Sequence, residues 1–132
     1  MTRGTLTVTV VSARGLRNAD EVGKSDPYVR LWVDDVDSQR TTTKVGTLDP
    51  VWNEKFTFKI TRQNKLHFKI WDSDAPESEG KDDKLASGSV SLENVFKTGK
   101  EEKTHELTHN LGLSKDGVIT LKLEFVEEGK ST

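Results

Sequence analysis

Two stretches of the chain concentrate oxygen ligands. Asn18 to Asp26 and Asp72 to Lys84 together hold nine acidic residues, Asp20, Glu21, Asp26, Asp72, Asp74, Glu77, Glu79, Asp82 and Asp83, against three lysines. Their local charge is −6 in a chain of net charge −2, which leaves +4 on the remainder. If the two stretches meet in space, the carboxylates repel one another unless a hard cation neutralises them. With no cysteine and no suitable grouping of the three histidines, the donors are oxygens. That chemistry points to calcium, which accepts six to eight oxygens in flexible geometry, rather than to zinc. Asp72 and Asp74 stand two residues apart at a strand end and so project toward one point. Taken singly, either acidic loop reads equally well as a solvated surface, because charge runs usually are.

Two other strings imitate metal sites. His105-Glu106-Leu107-Thr108-His109 has the lettering of a zinc protease, whose mechanism needs both imidazoles on one face of a helix. Leu107 is the only apolar residue from Lys97 through Asn110, so no helix could be buried there, and the reading is a surface strand or loop with two solvated histidines. A calcium loop of the helix-loop-helix kind starting at Asp72 would need a glycine where Glu77 stands, and Pro76 precedes it.

The elements that must position these groups are strands. Leu6, Val8 and Val10 alternate with polar residues, as do Val29, Leu31 and Val33, then Phe56, Phe58 and Ile60, and Leu66, Phe68 and Ile70. Lys55 to Ile60 and Lys65 to Trp71, separated by a short polar turn, read as a hairpin. Gln39 to Lys44 reads as a further strand, Gly88 to Leu92 as another, Glu93 to Thr98 as about one helical turn, and Glu106 to Thr108 as a poor strand. Ile119, Leu121, Leu123 and Phe125 mark a clear last one. About eight short strands without a long helix indicate an all-β, eight-stranded antiparallel β-sandwich. At 132 residues and 32% hydrophobic content, one domain with an economical core is expected. No apolar stretch approaches a membrane span or a signal core. Near-neutral net charge argues against nucleic-acid binding. Arg30 and Trp32 alternate outward on one strand and Arg40, Thr42 and Lys44 on the next, so pairing would assemble a basic patch that Tyr28 and Trp71 could flank. The alternative is an ordinary solvated basic face.

Three motifs in order, Gly23-Lys24-Ser25-Asp26-Pro27-Tyr28-Val29, Leu48-Asp49-Pro50-Val51-Trp52-Asn53-Glu54, and Trp71-Asp72-Ser73-Asp74, resemble those of the C2 domain, a calcium-dependent membrane-targeting module. The resemblance runs from about Thr5 to Phe125, with residues 1–126 as the domain and 127–132 as a short disordered tail. It implies a sandwich of the type II topology, with three calcium-binding loops at one end. Motif matching puts metal ligands on Asp20, Asp26, Asp72, Asp74 and Asp83, with Asp82 as the neighbouring alternative because the third loop is longer than usual for the family. Two calcium ions would bring the loop charge from −6 to −2 and three would bring it to zero. The implied partner is an anionic phospholipid membrane containing phosphatidylserine, with phosphoinositides taken by Arg30, Arg40, Tyr28 and Trp71 on the sandwich face. Trp32 and Thr42 stand where the family's lysine-rich cluster has lysines. The implied protein is a non-enzymatic monomer, cytoplasmic and reversibly peripheral at membranes. The rival reading is a calcium-independent adaptor whose sandwich face binds a protein partner. The tips of the first and third loops offer Val22 and little else that is apolar.

Overall fold

Alternating apolar side chains set the strands, and their parity changes only where a bulge intervenes. The computed structural model describes residues 3–16, 25–73, 83–109 and 114–129. Along β1 (Gly4–Arg14), Leu6, Val8 and Val10 are fully buried and Ala13 nearly so. The phase shifts at Val11, which is extra in the register against β8 (Ser114–Glu127): Val10 faces Leu121 and Ser12 faces Thr120. The strict alternation read from the sequence therefore stops at Val11, whereas the strand continues to Arg14. β4 (Val51–Ile60) answers the same bulge with Asn53 at φ +51°, and buries Trp52 ahead of it.

β2 (Pro27–Val33), β3 (Gln39–Arg40), β5 (Lys65–Asp72), β6 (Asp83–Ser91), α1 (Glu93–Thr98) and β7 (Lys100–His109) complete the elements. The strand order is β3-β2-β5-β6-β7-β8-β1-β4, all antiparallel. Among the described residues the β6–β7 link is a single pair, Ser87 opposite Thr108, so the ribbon folds there into two four-stranded layers. Between them sit Leu6, Leu31, Ile60, Leu66, Phe68 and Leu121 with the rest of the core. β8 lies along β1, the adjacency that the type II reading requires.

Four local expectations need correction. β4 and β5 are not a hairpin: β4 pairs with β1 and β5 with β2 and β6, so the chain crosses between layers. A polar arch makes the crossing: Gln63 Oε1 accepts the Thr61 and Arg62 N–H groups, and Asp34 Oδ2 accepts those of Asn64 and Lys65. The third strand ends at Arg40 because Thr41 turns its hydroxyl inward to accept the Val29 N–H at 2.9 Å, replacing a ladder bond. Thr42 consequently faces β4, where Glu54 accepts both its N–H and its hydroxyl, and it does not join the basic face. Finally, β7 is a full ten-residue strand despite its polar sequence, because the β8 ladder supplies what its own side chains lack. His105 on it is half-buried, edge-on to Phe68 at 5.5 Å, and not a solvated residue.

Candidate functional site

One end of the sandwich is cross-braced by its connecting segments. The Asp26 N–H donates to Asp72 Oδ1 at 2.8 Å, and Ser73 N–H donates back to the Asp26 carbonyl at 2.9 Å. Asp26 Oδ1 in turn accepts the Gly46 N–H at 2.7 Å. Thr47 and Lys44 N–H groups donate to the carbonyls of Ser25 and Pro27, which straps residues 44–47 onto the start of β2. Asp49 Oδ1 accepts the Gly15 N–H at 2.9 Å, and the Ala13 and Leu16 N–H groups reach the Pro50 and Leu48 carbonyls. The Leu48-Asp49-Pro50 motif thus clamps the base of the first loop.

Asp72 is fully buried. Burying a carboxylate is costly unless charge or hydrogen bonds compensate it, and here Asp72 Oδ1 accepts the Asp26 N–H. In register, Asp72 lies opposite Pro27 on one side and Asp83 on the other. Three of the five aspartates named from the sequence, Asp26, Asp72 and Asp83, are therefore brought to one sheet end. Asp20 and Asp74 lie outside the described residues, as does Asp82. Among the described residues no group of three carboxylates or imidazoles already forms a metal cage. The described carboxylate oxygens at this end, Asp72 Oδ1 and Asp26 Oδ1, are hard ligand atoms that accept backbone N–H groups.

The outer face of β3, β2 and β5 carries the basic residues. Arg30 pairs with Arg40 across β2 and β3 and with Lys69 across β2 and β5, while Tyr28 pairs with Trp71. The Arg40 guanidinium covers the Tyr28 ring at 3.6 Å from its centroid, which explains why an outward tyrosine is buried. Arg30 Nη1 donates to Ser38 Oγ, and Arg40 Nη2 to Thr43 Oγ1, so both heads are oriented. Trp71 Nε1 is buried with no acceptor among the described residues. Trp32 does not replace a basic residue idly: it stacks on His67 at 5.5 Å, with Lys69 Nζ 5.9 Å from its ring.

A C2 domain family model matches residues 4–107. The chain belongs to the C2 domain family. Tricalbin-3 of Saccharomyces cerevisiae is 33% identical over 127 residues, covering 95% of this chain and 8% of the yeast protein. A calcium-dependent lipid-binding protein of Arabidopsis thaliana is 32% identical over a 142-residue alignment, covering 97% of this chain and 26% of the relative. The chain thus spans a small part of each of these relatives. A solved C2 domain of plant extended synaptotagmin 1 superposes with a TM-score of 0.82 at 27% identity, covering 98% of this chain and 99% of that one. Among the described residues of this C2 domain no helix is long and apolar enough to cross a membrane.

Sequence reasoning missed Lys69 and His67 as members of the outer face of the C2 domain. Their outward alternation was visible in Lys65-Leu66-His67-Phe68-Lys69, but placing β5 beside β4 sent them to the wrong layer. His67 Nε2 also meets Asp34 Oδ1 at 2.9 Å, at the end of this face away from the carboxylates. Burial pushes the Asp34 carboxyl upward, but the hydrogen bonds from His67, Asn64 and Lys65 outweigh it and hold the group below the usual carboxylate range. Burial, followed by the nearby Lys103 charge, pulls the His105 imidazole below its usual value.

Proposed function

We propose that this C2 domain binds anionic phospholipid membranes in response to calcium, as a targeting module and not as an enzyme. One observation carries the reading: Asp26, Asp72 and Asp83 stand at the end of the β2-β5-β6 ladder, and the adjoining β3-β2-β5 strands present Arg30, Arg40 and Lys69 a few residues further along. Asp26 and Asp72, joined by Asp20, Asp74 and Asp83, would hold the metal. Bound calcium would neutralise the carboxylates and leave coordination positions for headgroup phosphates. Asp72 Oδ1 and Asp26 Oδ1 already order the loop backbones through the Asp26 and Gly46 N–H groups, so these side chains position their own loops as well as carrying charge. Similarity to a relative named for calcium-dependent lipid binding supports the reading.

The basic outer face of β3, β2 and β5 takes the second part of a lipid headgroup. Arg30 and Arg40, the latter braced on the buried Tyr28 ring, grip a phosphate, Lys69 adds charge, and Trp71 bounds the sugar ring of a phosphoinositide.

Calcium should raise the melting temperature by mass action, about 2.7 kcal/mol at a hundredfold excess over its dissociation constant. Magnesium, which gives up water reluctantly, should do much less. Vesicles containing phosphatidylserine should pellet the protein only with calcium, and binding should weaken steeply by about 0.5 M salt. Asp26→Asn and Asp72→Asn should abolish that binding and keep the sandwich. Unchanged melting and pelleting in millimolar calcium would sink the proposal. Arg30→Ala with Arg40→Ala should weaken binding selectively on vesicles with added phosphoinositide, and equal loss on both lipid mixtures would reduce the basic face to general electrostatics.

A further inference from the structure

We propose that Ser38 is a phosphorylation site through which a protein kinase switches off the basic outer face. This rests on the headgroup reading of Arg30, Arg40 and Lys69 and adds its regulation. Among the described residues neither Arg30 nor Arg40 pairs with a carboxylate, although acids outnumber bases in the chain: the ion pairs are Arg3 with Glu128, Arg62 with Asp35, His67 with Asp34 and Lys97 with Glu93. Both guanidiniums are held by hydroxyls instead. Arg30 Nη1 donates to Ser38 Oγ at 3.0 Å, and Arg40 Nη2 donates to Thr43 Oγ1 at 2.8 Å. A neutral acceptor leaves the arginine's charge available to a headgroup. A phosphate ester on the same oxygen would bring a charge of about −2 and several acceptor oxygens onto it.

The two hydroxyls differ in access. Thr43 is half-buried, and its segment is tied to β2 by the Thr41 N–H on the Val29 carbonyl and the Lys44 N–H on the Pro27 carbonyl. Ser38 is exposed just ahead of β3, outside any regular element, and among the described residues no comparable backbone bond straps it. A kinase has to lift its acceptor residue away from the body, and that opening is easiest where the fewest bonds break. Neighbouring acids leave room for the ester: Asp34 is committed to the Asn64 and Lys65 N–H groups and Asp35 to Arg62 and Gln63, while Asp37 is exposed and can turn to solvent. Arg40 lies two residues beyond Ser38 and opposite Arg30 in the β2–β3 register. A phosphate on Ser38 is therefore attached beside the same pair of cations that would grip the headgroup. In the transfer, Ser38 Oγ bonds to the γ-phosphorus of a nucleoside triphosphate, the bond from that phosphorus to its bridging oxygen breaks, the diphosphate departs, and the hydroxyl proton passes to a base of the kinase. Set against Arg30, Arg40 and Lys69, a phosphate of about −2 leaves about +1 on the face.

The test compares the parent with the full chain carrying phosphoserine at Ser38, installed during translation. Because Ser38 is exposed, the two should melt alike. On phosphatidylcholine vesicles with about one quarter phosphatidylserine and added phosphoinositide, in calcium, the modified chain should bind about thirtyfold more weakly, since each cation near an anionic surface contributes about fivefold and two are cancelled. Phosphorus NMR should show the ester's second ionisation below its usual value of about 6, returning toward it in Arg30→Ala. A eukaryotic cell extract supplied with magnesium ATP should phosphorylate the parent at Ser38, read by mass spectrometry, and leave that peptide unmodified in Ser38→Ala. Equal vesicle binding with an unshifted ionisation, or an extract that leaves Ser38 unmodified, would overturn the inference while the headgroup reading stands. A parent that binds no better with phosphoinositide than without it would overturn the headgroup reading, and the switch with it.

Discussion

Replacing Asp34 by alanine should cost the C2 domain about 2 kcal/mol at neutral pH. The carboxylate holds the β4–β5 crossing to the end of β2: Oδ2 accepts the Asn64 N–H at 2.8 Å and the Lys65 N–H at 3.2 Å, and Oδ1 meets His67 Nε2 at 2.9 Å. Three bonds at a net of roughly 0.5–1.5 kcal/mol each would give about 3 kcal/mol. The Asp34 side chain is 32% exposed, so water replaces part of what is lost and the figure falls to about 2 kcal/mol. For a chain of this length that is a drop of roughly 7 °C in melting temperature. Asp34→Asn keeps an oxygen for the two backbone donors and should cost about half as much. Equilibrium urea unfolding, followed by tryptophan emission, measures both. The pH dependence has a definite sign. The Asp34 carboxyl is held below its ordinary value in the folded state, so its contribution is complete above about pH 4 and is lost as pH falls through the folded value. The gap between parent and Asp34→Ala should therefore close in acid. A gap under about 0.5 kcal/mol at pH 7, or one that widens below pH 4, would refute the assignment of the arch to this carboxylate.

Two further outcomes test the fold. Asn53, at φ +51° in the β4 bulge, should accept glycine within about 0.5 kcal/mol, whereas Asn53→Val should cost about 1–2 kcal/mol in thermal unfolding because a β-branched residue strains in the left-handed region. Gly88→Ala places a Cβ 2.7 Å from Phe68 Cζ and 2.9 Å from His105 Nε2, so the two layers must separate slightly there. A loss of about 1–3 kcal/mol by calorimetry is expected, and His105→Ala in the same chain should recover part of it.

Much of the β-sandwich was legible in the chain because one buried face imposes a period of two. Leu6, Val8 and Val10, or Leu66, Phe68 and Ile70, announce their strands without any partner. The acidic stretches were legible too, as like charges gathered in loops and as three motifs in order. What local pattern cannot contain is which strand lies beside which. The period in β5 is the same whether it pairs with β4 or with β2, so only the closed sandwich, in which the Asp34-to-Asn64 arch carries the chain across layers, sets Lys69 beside Arg30 and His67 beneath Trp32. Polar strands are the converse case: β7 has one fully apolar inward residue, Leu107, and exists as a strand because β8 offers it a ladder. The loop end follows the same division. That Asp26 and Asp72 carry charge at strand ends is a matter of residue type and spacing, and the amino-acid order alone contains it. That Asp26 also fastens Gly46 emerges on folding, because a hydrogen bond across twenty residues depends on where the packed layers bring the backbone.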